Sequence, residues 1–148
     1  KNIERLSDRL RQLERQYERS SASVKLLAVS KRHPVESIIA AHEAGIVDFG
    51  ENYLQEALDT IQHFSSMQLN WHFIGPIQSN KTKAIAENFH WVHSIDRFKI
   101  AQRLSDQRES STAKLNVCVQ IKLSDETNKF GEFQRPRTIH VVVVENVE

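Results

Sequence analysis

The most constraining feature of this sequence is an alternation of short apolar segments with amphipathic ones, repeated roughly every 20 to 25 residues. Alternation of this kind is typical of β-α units that build a parallel sheet. An apolar stripe also predicts a first helix over residues 2–19. The predicted strands cover residues 24–30, 47–49, 71–74, 91–95 and 115–123, and the helices between them cover 35–44, 53–64, 81–89 and 97–107.

The predicted strand 115–123 distinguishes between an open doubly wound sheet and a closed (β/α)8 barrel. One of its faces is apolar, whereas Asn116, Cys118, Gln120 and Lys122 lie on the other. Central strands of an open sheet are usually apolar on both faces, while barrel strands carry polar residues inward near the active site. We therefore predict an α/β fold of the (β/α) TIM-barrel type with parallel strands. A complete barrel needs about 250 residues, so 148 residues supply about five of the eight units.

Composition argues against several functional classes. Lysine and arginine total 20 against 19 acidic residues, and no basic stripe is present, so nucleic acid is not an expected partner. No run approaches the roughly 18 apolar residues of a membrane span, so a membrane is not expected either. The four glycines, at positions 45, 50, 75 and 131, fit neither glycine-rich phosphate-loop signature.

The cysteine and histidine residues give no sign of a disulfide or a metal site. The single cysteine, Cys118, lies in an apolar run and is expected to be a packed thiol. None of the seven histidines forms an H-E-x-x-H pattern, and no metal is predicted. The charged start of the chain lacks the apolar core of a signal peptide. These features favour a reducing, cytoplasmic setting.

Lys31 is the residue whose position most directly suggests chemistry. It ends the predicted apolar strand on the same face as Leu27 and Val29, where barrel enzymes place reactive groups. Desolvation near an apolar wall favours the neutral amine, which can form a Schiff base with a carbonyl compound. Position alone leaves the alternative open that Lys31 only marks the exit of the strand into solvent.

Five motifs, taken together, resemble the pyridoxal-phosphate homeostasis protein family, a single-domain relative of the alanine racemase barrel. They occur in the order of the family, and each lies at or just after the end of a predicted strand. The motifs are Leu27-Ala28-Val29-Ser30-Lys31, Phe49-Gly50-Glu51-Asn52-Tyr53, Trp71-His72-Phe73-Ile74-Gly75-Pro76-Ile77-Gln78-Ser79-Asn80-Lys81, His93-Ser94-Ile95-Asp96-Arg97 and Val119-Gln120-Ile121.

The resemblance implies a cofactor and the residues that contact it. The cofactor is pyridoxal 5′-phosphate (PLP), and Lys31 matches the lysine that holds it as a Schiff base. The remaining implied contacts are Asn52, His72, Ile74, Ser94 and Gln120. His72 could equally be a packed residue of the barrel wall.

The resemblance covers residues 2–131 and defines the predicted domain organisation. Residues 1–131 are interpreted as the N-terminal part of a PLP-binding barrel, and residues 132–148 as a tail unlike the family, with a possible extra strand over 139–144. In the family, the segment around the cofactor phosphate lies beyond the position of Gly131. We therefore expect this chain to bind PLP weakly or not at all.

Three functions remain open at this stage. The first is a PLP carrier in intracellular PLP homeostasis, which the resemblance favours over an enzyme with its own substrate. The second is a PLP-dependent amino-acid racemase or lyase. The third is a non-catalytic barrel fragment that associates with itself through open sheet edges, because open edges pair readily with other chains.

Overall fold

The computed structural model describes residues 2–120 and the backbone of residues 142–144. The chain forms two compact units, residues 1–72 and residues 73–148. The last part of the predicted strand 115–123, the first part of the possible strand 139–144 and the boundary at Gly131 lie outside the described residues.

The first unit alternates helices with strands. Its strands follow the order β1, β2, β3, and the last residue of β3 falls in the second unit. The elements are α1 (Asn2–Gln16), β1 (Ala28–Val29), α2 (Val35–Glu43), β2 (Asp48–Glu51), α3 (Leu54–His63) and β3 (Asn70–Phe73).

Strands β1 and β2 are parallel, with Ala28 opposite Phe49 and Val29 opposite Gly50. Strand β3 lies beside β2, because the N–H of Asn70 donates to the carbonyl of Val47 at 2.7 Å. The carboxyl ends of neighbouring parallel strands lie at the same edge of a sheet. The residues that follow β1 and β2 are therefore close together.

Strand β1 is much shorter than the predicted strand 24–30. At its first residue, the reason is that helix α1 occupies the backbone groups of Val24. The N–H of Val24 donates to Glu14 Oε1 at 2.7 Å, and the carbonyl of Val24 accepts from Arg11 Nη2 at 2.6 Å. A residue whose backbone groups are bound by side chains cannot also pair in a strand ladder. Val24 therefore lies outside the strand, and pairing with β2 begins at Ala28.

Aromatic side chains form the core of the first unit. The ring of Trp71 lies 5.8 Å from that of Phe49 and 6.3 Å from that of Phe64, measured between centroids. All three are buried, together with Ile38 and Ala57 from the helices. These residues cover one face of β2 and β3. The alternating residues Asp48 and His72, also buried, lie on the opposite face.

The second unit continues the alternation and then adds an antiparallel strand. Strands β4 and β5 are parallel, with Val92 opposite Val117, and β5 pairs antiparallel with β6, with Cys118 opposite Val143. The elements are a 3-10 turn (Ser79–Lys81), α4 (Thr82–Asn88), β4 (Trp91–Ile95), α5 (Phe98–Gln107), β5 (Asn116–Val119) and β6 (Val142–Val144).

The second unit has its own apolar core, closed by one arginine. Phe73 and Phe89 contact edge to face at 5.3 Å between centroids, and Ile100 of α5 is fully buried. Arg108 Nη1 donates to the carbonyl of Phe89 at 2.9 Å, and its Nε donates to the carbonyl of Ala113 at 2.9 Å. Arg108 thus joins the end of α4 to the loop before β5. Within the described ranges, no helix is long and apolar enough to cross a bilayer.

Candidate ligand-binding site

Lys31 lies in a tight turn directly after β1, two residues beyond the last paired residue. The N–H of His33 donates to the carbonyl of Ser30 at 2.9 Å and closes this turn. Arg32 has a φ of 60°, in the left-handed region that residues with a Cβ rarely adopt. The Lys31 side chain is exposed. The predicted position at the exit of the first strand is therefore a turn rather than a strand end.

The turn faces the end of β2. The N–H of Ser30 donates to the carbonyl of Gly50 at 3.0 Å, which continues the pairing of Val29 with Gly50. Beyond this bond, the Ser30 hydroxyl contacts Glu51 and the Arg32 guanidinium contacts the Tyr53 ring. The residue between Ser30 and Arg32 is Lys31, and the residue between Glu51 and Tyr53 is Asn52. Lys31 and Asn52 are therefore held near each other by the contacts of their neighbours.

The side-chain oxygen of Asn52 is buried, and no donor among the described residues lies within hydrogen-bonding distance of it. Buried polar atoms in folded proteins nearly always have a partner, so an exception calls for an explanation. A ligand with a hydrogen-bond donor beside Asn52 would satisfy it.

Ser30 and Glu51 form a buried hydrogen bond beneath this position. The Ser30 hydroxyl donates to Glu51 Oε1 at 2.5 Å, and Glu51 is 3% exposed. Burial raises the pKa of the Glu51 carboxyl, and the hydrogen bond from Ser30 acts in the opposite direction. Glu56 adds to the rise, whereas Lys31 opposes it. At any given pH this carboxyl is therefore protonated to a greater extent than an exposed glutamate.

Asp48, Asn70 and His72 form a second polar cluster on β2 and β3. Asp48 Oδ1 accepts a hydrogen bond from Asn70 Nδ2 at 3.0 Å and lies 2.9 Å from His72 Nε2. Asp48 and His72 are both buried. A carboxylate bound to one ring nitrogen of a histidine fixes the orientation of the ring. His72 is therefore a rigidly held polar residue next to the strand that carries Asn52.

The remaining predicted contacts, Ile74, Ser94 and Gln120, belong to the second unit. The Ser94 hydroxyl donates to the carbonyl of Gly75, the residue after Ile74. The N–H of Gln120 donates to the carbonyl of Ile95 at 2.7 Å. These bonds place Ser94 beside Gly75 and Gln120 beside the end of β4.

Cys118 is a buried thiol, as predicted. It is 1% exposed, and its Sγ lies 3.8 Å from His93 Nδ1. Burial raises the pKa of the Cys118 thiol, so the thiolate is disfavoured and the group is not activated. Among the residues with assigned positions, no group of three or more histidine, cysteine, aspartate or glutamate side chains could hold a metal ion.

Asp48 and Glu51 are not among the predicted site residues. Asp48 lies in the apolar run Ile46-Val47-Asp48-Phe49, and Glu51 follows Gly50 in one of the five motifs. An acidic residue inside a short apolar run is the signal that could have indicated both, because charged side chains are rarely buried without a hydrogen-bond partner.

Comparison with known proteins gives a family and several relatives. The family model for the N-terminal domain of alanine racemase matches residues 2–141. The pyridoxal phosphate homeostasis protein of Pseudomonas aeruginosa is 55% identical over 130 residues, which cover 88% of this chain and 56% of that protein. The chain thus spans a little over half the length of this relative.

Two solved structures of PipY from Synechococcus elongatus PCC7942 are also similar. The structure without PLP has a TM-score of 0.67 and 38% identity, and covers 83% of this chain and 56% of PipY. The structure with PLP bound has a TM-score of 0.58 and 40% identity, and covers 68% of this chain and 47% of PipY. These similarities confirm the resemblance drawn from the five motifs and the alanine-racemase-like α/β fold with parallel strands.

Proposed function

Because the chain belongs to the alanine racemase N-terminal domain family, we propose that it binds pyridoxal 5′-phosphate and serves intracellular PLP homeostasis. The observation that carries this proposal is the buried Asn52 oxygen that lacks a hydrogen-bond donor in the described structure, between two residues that contact the neighbours of Lys31. The similarity to PLP homeostasis proteins and to a PLP-bound PipY structure supports the choice of ligand.

The residues of the first unit fit this cofactor. PLP supplies an aldehyde, which forms a Schiff base with a lysine amine when it is bound. Lys31 offers an exposed amine in a fixed turn, and we propose it as the attachment point. Asn52 offers an amide whose oxygen accepts a hydrogen bond, and His72 offers a ring oriented by Asp48. Ile74, Ser94 and Gln120 stay predicted contacts.

A carrier role fits these residues better than catalytic turnover. A racemase or lyase needs an additional proton-transfer group at the cofactor, such as a tyrosine or a cysteine. The Tyr53 ring contacts the Arg32 guanidinium, with 5.4 Å between the guanidinium carbon and the ring centroid. The Cys118 thiol is buried. We therefore propose binding and release of PLP rather than turnover of an amino acid, and a cytoplasmic setting in line with the single unpaired cysteine.

The proposal is tested by trapping the cofactor on the protein. PLP is added, the Schiff base is reduced with borohydride, and the modified peptide is identified by mass spectrometry. We expect the label on Lys31 and its loss in Lys31→Ala, whereas Lys81→Arg, which replaces an exposed lysine, leaves labelling unchanged. Label confined to Lys81 or to other lysines would overturn the assignment. A parallel assay for amino-acid racemisation separates a carrier from an enzyme.

A further inference from the structure

We propose that Glu51 and Tyr53 are positioning residues that hold the Lys31 side chain on the side of Asn52. The inference rests on the proposed role of Lys31 in PLP binding and concerns how that lysine is presented. It follows from an observation about neighbours: the residues on both sides of Lys31 contact the residues on both sides of Asn52.

The first contact is the hydrogen bond between Ser30 and Glu51. It is short, at 2.5 Å, and both residues are buried: Ser30 is 6% exposed and Glu51 is 3% exposed. Water therefore does not compete effectively for either partner. The Ser30 N–H also donates to the Gly50 carbonyl, so both the backbone and the side chain of Ser30 are attached to β2. The chain is fixed immediately before Lys31.

The second contact lies immediately after Lys31. The Arg32 guanidinium carbon is 5.4 Å from the centroid of the Tyr53 ring, within the range of a cation–π interaction. Arg32 adopts a φ of 60°, which is unfavourable for a residue with a Cβ and needs support from surrounding contacts. The ring of Tyr53 and the hydrogen bond between His33 and Ser30 supply that support.

The two contacts act together on the residue between them. With Ser30 held by Glu51 and Arg32 held by Tyr53, the backbone of Lys31 cannot turn away from Asn52 unless one contact breaks. A lysine has a long and flexible side chain, so fixing its backbone reduces the number of directions its amine can sample. Correct orientation of a reacting group increases its rate of reaction. This is the role assigned to Glu51 and Tyr53.

Matched pairs of substitutions test the proposal. Glu51→Gln keeps an acceptor for Ser30, whereas Glu51→Leu has similar volume but no acceptor. Tyr53→Phe keeps the ring under Arg32, whereas Tyr53→Leu removes it. The first measurement is the ratio of Lys31 to Lys81 labelling by PLP and borohydride. We expect this ratio to fall about fivefold in Glu51→Leu, as for one lost hydrogen bond, and about threefold in Tyr53→Leu. The conservative variants should stay within about twofold of the original protein.

The second measurement needs no PLP. Amide hydrogen exchange at His33 reports on the turn, because its N–H donates to Ser30. We expect faster exchange in Glu51→Leu and Tyr53→Leu and unchanged exchange in Glu51→Gln and Tyr53→Phe.

The two measurements separate failure of the inference from failure of the proposed function. If Lys31 of the unmodified sequence takes no label, PLP attachment is wrong, and exchange at His33 still decides whether Glu51 and Tyr53 hold the turn. Equal exchange at His33 in the leucine and conservative variants would overturn the positioning role. If the unmodified sequence is labelled at Lys31, an equal labelling ratio in the leucine and conservative variants would overturn it as well.

Discussion

Asp48 and His72, which are 24 residues apart in the sequence, meet in the buried face of β2 and β3 with 2.9 Å between Asp48 Oδ1 and His72 Nε2. Asn70 donates to the same oxygen at 3.0 Å. One carboxylate oxygen therefore contacts two side chains of the neighbouring strand. The contact fixes the lateral position of β3 against β2 as well as the orientation of His72.

Removal of this carboxylate should lower stability. In Asp48→Ala the amide of Asn70 and the ring of His72 lose a buried acceptor, and an unsatisfied buried donor costs about 1–3 kcal/mol. The free energy of unfolding, measured by urea denaturation, should fall by that amount. Asp59→Ala provides the control, because Asp59 is an exposed residue of α3. Equal effects of the two substitutions would contradict the role of Asp48.

Glu51 predicts a loss of stability as pH rises. Burial raises the pKa of Glu51 above its usual 4.5, so the folded protein holds this proton at pH values where the unfolded chain has released it. The unfolded state then binds fewer protons, and stability falls with increasing pH between the unfolded and the folded pKa. Glu51→Gln should remove this part of the pH dependence and raise stability at neutral pH. A pH profile unchanged by the substitution would show that the carboxyl does not titrate in this way.

Glu14 predicts a loss of stability as pH falls. Burial acts to raise the pKa of Glu14, but hydrogen bonds from the N–H groups of Val24 and Ala22, with the Arg11 guanidinium, hold the pKa below 4.5. The stabilisation is therefore complete above the unfolded pKa and is lost as pH falls through the lower, folded pKa. Glu14→Gln should weaken the acid sensitivity of unfolding, followed by far-UV circular dichroism below pH 4.5. The prediction is wrong if acid unfolding keeps the same midpoint and slope.

The backbone conformation of Arg32 predicts that glycine is more stabilising than alanine at this position. At a φ of 60° a Cβ costs about 1 kcal/mol, so Arg32→Gly should be more stable than Arg32→Ala by about that amount, with the Tyr53 contact absent from both. In helix α3 the order is reversed, and Asp59→Ala should be more stable than Asp59→Gly by about 1 kcal/mol. Thermal unfolding of the four variants measures both differences. The same order at both positions would argue against a left-handed Arg32.

The sequence predicts the repeating elements well because periodicity reports on which face of an element is buried. Helix α2 ends at Glu43, with Gly45 at a φ of 90° just beyond, where glycine is favoured at a helix end. The absence of Val24 from strand β1 could not be predicted, since it depends on Glu14 and Arg11 reaching Val24 through the tertiary fold.

The candidate site could likewise be predicted from the sequence only in part. The motifs indicate Lys31, Asn52 and His72 as residues at strand ends, which is a matter of sequence position. They do not indicate that Asp48 binds His72, because the pairing of two polar side chains depends on the register between strands. The roles of Lys31, Asn52 and His72 in binding a cofactor stay predictions, as does self-association.

Strand β6 has a consequence for growth of the sheet. A β-α unit delivers its next strand parallel to the previous one, whereas β6 runs antiparallel and occupies the outer edge of β5. The backbone groups on this side of β5 are already bonded to β6. A further parallel strand, from this chain or another, can pair with β5 only after it displaces a segment of three residues. Continuation of the parallel order beyond β5 is therefore an exchange reaction that requires release of β6.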